Sequence, residues 1–212
     1  VRRAIDRAAD VGIPVITTDA DIDGSRRTCC VSIDSARASR IAGRLMGQFL
    51  DGKGKIAIIS SAVSSENNNY YVQMREHGFT DFLQREYPQV EIVSCIESFE
   101  NPQITYEKTM QLLRDEPELR GIYITCGGVA QVGRALIESG RADSVRVLCY
   151  ENYPEIVELM RQGVIDWTLG GDKAQQGALP VKLIMDELVF GRKPATDRIY
   201  TDTRILVKEC FA

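Results

Sequence analysis

Six times along this chain a short apolar run ends in a polar residue and hands over to a helical pattern. The runs are residues 14–19, 30–34, 55–60, 90–94, 121–125 and 145–151. Between most of them lie stretches with apolar positions three and four apart, clearest at Ile41, Ala42, Leu45, Met46, Phe49 and Leu50. Strands alternating with helices of about ten or more residues read as βαβ units around a parallel sheet. In open α/β sheets ligands bind outside the carboxyl ends of the strands. The polar residues that close the runs, Asp19, Thr125 and Glu151 among them, therefore mark a pocket as well as a fold.

The pattern assigns most of the chain. Residues 1–10 read as the last turns of a helix closed by Gly12. Asp34 or Ser35 caps the next helix and Gly52 ends it. A polar loop from Ser60 to Asn69 leads to a helix over 71–86. Pro102 suits the first position of a helix reaching Arg114. Further helices are expected after Gly128, over 154–161 and over 174–190, the last with Leu179, Val181, Ile184, Met185 and Leu188 inward. Gly170-Gly171-Asp172 reads as a break after a strand over 164–169. Two short strands, 197–200 and 204–208, close the chain. A start in mid-helix, without Met or signal peptide, points to a segment missing upstream.

Composition excludes several classes. No run of about 18 apolar residues is present, so no transmembrane helix is expected and no membrane partner. The net charge is −4, from 26 basic and 30 acidic residues with no basic arm, so the chain itself does not call for nucleic acid. Its six cysteines include no CxxC pair, which argues against structural zinc, and no metal or cofactor is expected. Cys29, Cys95, Cys126 and Cys149 lie in or beside strands, where a free thiol packs as a small hydrophobe. That usage suits a reducing compartment, the cytoplasm rather than the periplasm. Vicinal Cys29 and Cys30 have a redox reading and a packing reading, with packing the commoner.

Catalytic motifs are sparse. His77 is the single histidine, which leaves triads and histidine-metal clusters little choice. Cys126-Gly127-Gly128 follows a strand and opens a helix without meeting the dinucleotide spacing. It serves either an oxygen-rich ligand at the helix N-terminus or close helix packing. Gly52-Lys-Gly-Lys55 precedes a strand, so it is a turn rather than a phosphate loop. Asp19, Arg75 and Glu151 are the charged groups at strand ends or helix starts. Two acids across a cleft can be the acid and base of glycoside hydrolysis. They can equally accept hydrogen bonds from vicinal hydroxyls while an arginine donates. Either role competes with simple solvation or capping.

The order of motifs is then informative. Gly12-Ile-Pro-Val-Ile-Thr-Thr-Asp19 resembles a strand of type I periplasmic binding proteins and LacI-family effector domains. Val31-Ser-Ile-Asp34 with Ala38 and Ala42 resembles their crossover, although the family often has glycine where Ala38 stands. Arg75-Glu-His-Gly-Phe79, Gly121-Ile-Tyr-Ile-Thr-Cys-Gly-Gly128 and Val147-Leu-Cys-Tyr-Glu151 continue in register. The resemblance implies an α/β fold of two doubly wound parallel-sheet lobes joined by hinge strands, with the ligand in a cleft. It implies a partial first lobe over 1–34 and 172–198, lacking its N-terminal strands, and a second over 35–171 and 199–212.

Compared with the ribose-binding branch, the resemblance places ligand contacts at Asp19, Arg75, Phe99, Thr125, Glu151 and Gly171. Thr125 replaces an asparagine, Glu151 an aspartate and Gly171 a glutamine; Ala20 replaces an arginine. Acidic and aromatic elements persist while amides are lost. Space at Gly128 and Gly171 then suits a bulkier polyol or larger sugar than ribose. The role expected is the effector domain of a LacI-type regulator: non-enzymatic, cytoplasmic and homodimeric, meeting operator DNA only through an upstream helix-turn-helix. Ligand-driven lobe closure is its expected signal. The alternative is the periplasmic sugar-binding protein of an ABC transporter.

Overall fold

A computed structural model describes residues 1–61 and 70–211, without the Tyr70 side chain. In chain order it runs α1 (Arg2–Asp10), β1 (Ile16–Thr18), β2 (Cys29–Ile33), α2 (Ser35–Phe49), β3 (Lys53–Ser60) and α3 (Tyr70–Glu86). Next come β4 (Gln89–Glu97), α4 (Pro102–Asp115), β5 (Leu119–Ile124), α5 (Val129–Glu138), β6 (Arg146–Tyr150) and α6 (Pro154–Arg161). The chain closes with β7 (Trp167–Gly171), α7 (Lys173–Phe190), β8 (Arg198–Thr201), β9 (Thr203–Leu206) and a 3-10 turn over Lys208–Phe211. Two compact units result: Val1–Asp34 with Gly171–Arg204, and Ser35–Gly170 with Ile205–Ala212. The expected loop from Ser60 to Asn69 lies outside the described residues from position 62 onward.

The first unit has a three-stranded sheet in the order β1-β2-β8, with both pairings parallel. The middle strand β2 is buried along its whole length, as a near-continuous apolar run requires. Cys29 and Cys30 have no exposed surface, and burial raises the Cys29 thiol above its ordinary pKa, so packing is their role. After β1 the chain is tied down through Asp21, whose side chain is 2% exposed. Its carboxylate pairs with Arg27, and with Arg198 at 3.0 Å, and accepts from Thr17 and from the Ile22 amide. Four donors on one carboxylate fix the loop that leaves β1.

The second unit is a six-stranded sheet in the order β4-β3-β5-β6-β7-β9, with the pairings from β4 to β7 parallel. Helices α4, α5 and α6 contribute Leu112, Leu113, Ala135, Leu136, Ile156 and Met160 to the core against Ile122, Ile124 and Val147. Helix α2 packs differently from the expected stripe. Its buried side is Ser35, Ala38, Ser39, Ala42, Gly43, Met46 and Gly47, while Phe49 is 47% exposed. A methyl group built on Gly47 would fall 2.3 Å from the Tyr87 ring, and one on Gly43 2.8 Å from Phe82. Small residues let α2 approach α3 closely, so shape rather than bulk determines which side faces in.

Two other expectations change. The break at Gly170-Gly171 is absent: both glycines belong to β7, and the turn comes at Asp172, whose side chain caps α7 by accepting from the Gln175 amide. Helix α7 packs on β1 and β2, but Val181, Met185 and Leu188 are more than half exposed instead of inward. Its main contacts are with β1 and β2, and the apolar stripe extends beyond them.

Candidate functional site

In the second unit the carboxyl ends of β4, β5 and β6 lead into loops that carry Phe99, Thr125, Gly128 and Glu151. Among the described residues five non-glycine residues have left-handed φ: Asp19, Asp51, Phe99, Glu100 and Glu151. Three of these are expected site residues. Such strain persists only where neighbours over-determine it, and it clusters at functional sites.

Phe99 and Glu100 are consecutive left-handed residues after β4, with φ of 52° and 54°. Ser98, wholly buried, holds them. Its hydroxyl donates to Ser60 O at 3.0 Å and accepts the Glu100 amide at 3.2 Å, and the Phe99 amide donates to Ser61 O at 2.6 Å. The turn leaves the Phe99 ring 56% exposed, with the Lys108 ammonium 5.7 Å from its centroid. An exposed aromatic face on a clamped turn can stack on the apolar face of a ring ligand.

Arg75 comes from the middle of α3. Its guanidinium carbon lies 3.8 Å over the Tyr150 ring, and Nη1 donates to Thr125 O at 3.0 Å. Its Nε is buried and has no hydrogen-bond partner among the described residues. No carboxylate pairs with it among those residues. A cation with one neutral acceptor and a buried empty donor is under-satisfied, and calls for a further acceptor.

Glu151 follows Tyr150 at the end of β6, with φ of 75°; its amide donates to Leu169 O at 2.8 Å. Thr125 is buried, and its hydroxyl donates to Ile59 O at 3.3 Å. Thr125 thus meets Arg75 through its carbonyl, while its hydroxyl is taken up by Ile59 O. Cys126 stands beside Ser98 at 3.5 Å, and burial pushes its thiol up to about 11, so it is no nucleophile at neutral pH.

The glycines do not open space. A methyl group on Gly128, whose φ is +93°, would sit 2.9 Å from Thr105. One on Gly171 would meet the Gln176 amide and Ile33, each at 2.6 Å. Close packing, not room for a larger ligand, accounts for both. In the first unit Asp19 is exposed at the end of β1, with φ of 66° and its amide donating to Val31 O at 2.9 Å.

The structure thus brings Arg75, Thr125 and Tyr150 into contact, and sets Phe99 and Glu151 on strained loops of the same unit. Asp19 and Gly171 belong to the other unit. Tyr150 and Ser98 were not singled out from the sequence. The signal for Tyr150 was its place beside Glu151; Ser98 gives none. Among the described residues no group of histidine, cysteine or carboxylate side chains could hold a metal, and no helix is long and apolar enough to cross a membrane.

Comparison with known proteins gives the family. Residues 1–193 match a family described as periplasmic binding protein domain. No curated protein matches the sequence. A glucose-galactose binding protein from Geobacillus stearothermophilus is 27% identical with a TM-score of 0.85, covering 98% of this chain and 72% of that one. Two others support the fold. A sugar ABC transporter sugar-binding protein from Bacillus halodurans is 23% identical, with a TM-score of 0.87 and coverage of 98% and 73%. A solute-binding protein from Burkholderia graminis, solved with D-arabinose, is 22% identical, with a TM-score of 0.89 and coverage of 100% and 72%.

Proposed function

The chain belongs to the periplasmic binding protein domain family, and from that premise we propose that it is the sugar receptor of an ABC transporter. The ligand proposed is a neutral monosaccharide. The observation that carries this reading is the Arg75 guanidinium, its carbon 3.8 Å over the Tyr150 ring, with a buried Nε that no described residue satisfies. Adjacent hydroxyls on a sugar offer the acceptors it lacks, and the exposed Phe99 ring offers a stacking face. Glu151, on its strained loop, is the proposed acceptor for a third hydroxyl.

Similarity to proteins described as glucose-galactose binding and as ABC-transporter sugar-binding supports a receptor over the regulator expected from the sequence. One observation keeps the LacI-type reading as the second choice: all six cysteines are free, three of them buried. That reading adds a homodimer and an operator-binding segment. Titration calorimetry with D-glucose, D-galactose, D-arabinose, D-ribose and D-xylose tests the proposal. Saturable one-to-one binding of at least one sugar is expected. Absence of binding to all five at millimolar sugar overturns it. For the second reading the decisive observation is specific DNA binding by the full-length protein that such a sugar modulates.

A further inference from the structure

We infer that Tyr150 is a positioning residue that sets the orientation of Arg75, with Tyr123 and Phe79 behind it; this rests on the reading of Arg75 as a ligand contact. Arg75 and Phe79 lie four residues apart on α3, so they share a face of that helix. Each stacks on a tyrosine of the sheet: Arg75 on Tyr150, and Phe79 on Tyr123 with ring centroids 4.1 Å apart and planes 23° apart. The two tyrosines stand on the neighbouring strands β6 and β5, and their hydroxyls share a hydrogen bond of 2.7 Å. Two parallel rungs are thus joined at their outer ends.

The ladder is rigid because it is buried. Phe79 and Tyr123 have no exposed surface and Tyr150 has 5%. Burial raises both phenols above their ordinary pKa, so the shared bond joins two neutral hydroxyls at any physiological pH. On the outermost rung the Tyr150 ring holds the guanidinium carbon 3.8 Å from its centroid. The Thr125 carbonyl holds Nη1 at 3.0 Å. With both constraints set, the Nε side of the guanidinium is presented as an edge at one angle. A flexible arginine would lose rotamer freedom on binding, whereas this one has lost it already. Tyr150 therefore acts on affinity without touching the sugar.

The test is a double-mutant cycle with the sugar from the five that binds the wild-type protein best. Tyr150→Phe keeps the stacked face and is expected within about threefold of wild type. Tyr150→Leu removes the face, and the value of a cation on an aromatic ring translates to roughly tenfold weaker binding. In an Arg75→Ala background Tyr150→Leu is expected to add nothing. Equal losses in both backgrounds overturn the positioning role and leave the site assignment standing. An Arg75→Ala protein that binds as wild type overturns the site assignment itself. A spectroscopic reading of the wild-type protein needs no variant at position 150. The Nε–H proton resonance that disappears in Arg75→Lys is expected upfield of the other arginines, because the Tyr150 ring current shields it. An unshifted resonance overturns the stack.

Discussion

Replacing Ser98 with alanine removes the group that holds Phe99 and Glu100 in their left-handed turn. Three hydrogen bonds go: one to Ser60 O, one from the Glu100 amide, and the weak one shared with Cys126 Sγ at 3.5 Å. The Ser60 carbonyl keeps the Ser98 amide as a donor, at 2.8 Å, so it is not orphaned. The two stronger, neutral bonds at about 1 kcal/mol each amount to about 2 kcal/mol of stability. For a protein of this size that is a fall of roughly 4–8 °C in melting temperature. The functional effect is separate. Left-handed backbone at a non-glycine residue stores about 1–3 kcal/mol. Once the clamp is gone the turn relaxes, and restoring the Phe99 ring to its binding pose costs that energy again. Sugar affinity is then expected to fall roughly 5- to 150-fold. Thermal melts and calorimetry on Ser98→Ala, beside Phe99→Leu, measure both effects. If the melting temperature falls while affinity stays at the wild-type value, Phe99 is not a ligand contact and the reasoning fails.

Asp21 predicts an acid response in the first unit. Burial pushes its carboxyl up, but bonds from Arg27, Ile22 and Thr17 outweigh this and bring it from 3.8 down to about 2. A lowered folded pKa gives stability that is present above pH 4 and lost as pH falls toward 2, about 2 kcal/mol in all. In Asp21→Asn, urea melts between pH 4 and 2 are expected to depend less on pH than in wild type; an unchanged slope contradicts the network. Burial raises the thiol of Cys149 to about 12 and that of Cys126 to about 11. A thiol reagent at pH 8 is therefore expected to modify exposed Cys95 and Cys210 before Cys126, and early modification of Cys126 counts against its environment as described. Gly128→Ala is expected to destabilise by about 1–3 kcal/mol, from positive φ and collision with Thr105. Unchanged melting would mean that Gly128 does open space after all.

Much of the fold was legible because strand and helix leave different periods in the sequence. Residues 55–60 and 121–125 are apolar without alternation, since β3 and β5 are covered on both faces. What the sequence hid was shape. The buried side of α2 carries Gly43 and Gly47 because Phe82 and Tyr87 occupy the space their side chains would need. No hydropathy pattern records such a fit. Val181, Met185 and Leu188 failed in the other direction: an apolar spacing states that a face can be buried, not that a partner surface is wide enough.

The site divides in the same way. Arg75 was legible from its motif and Glu151 from its place at a strand end. The bond from Arg75 to Thr125 joins residues fifty positions apart and depends on a carbonyl, which any residue at 125 would supply. Tyr150 reads as one more buried strand residue until α3 lies across it. Gly128 and Gly171 read as lost side chains, whereas the structure fills both places from neighbouring elements.

The central claim is that Arg75 donates to a sugar hydroxyl from its stacked position on Tyr150. Calorimetry of wild type and Arg75→Ala with the best-binding monosaccharide measures it most directly. A hydrogen bond from a charged donor contributes about 1.5–3 kcal/mol, so the variant is expected to bind roughly 10- to 150-fold more weakly. Equal affinity in the two proteins would contradict the claim.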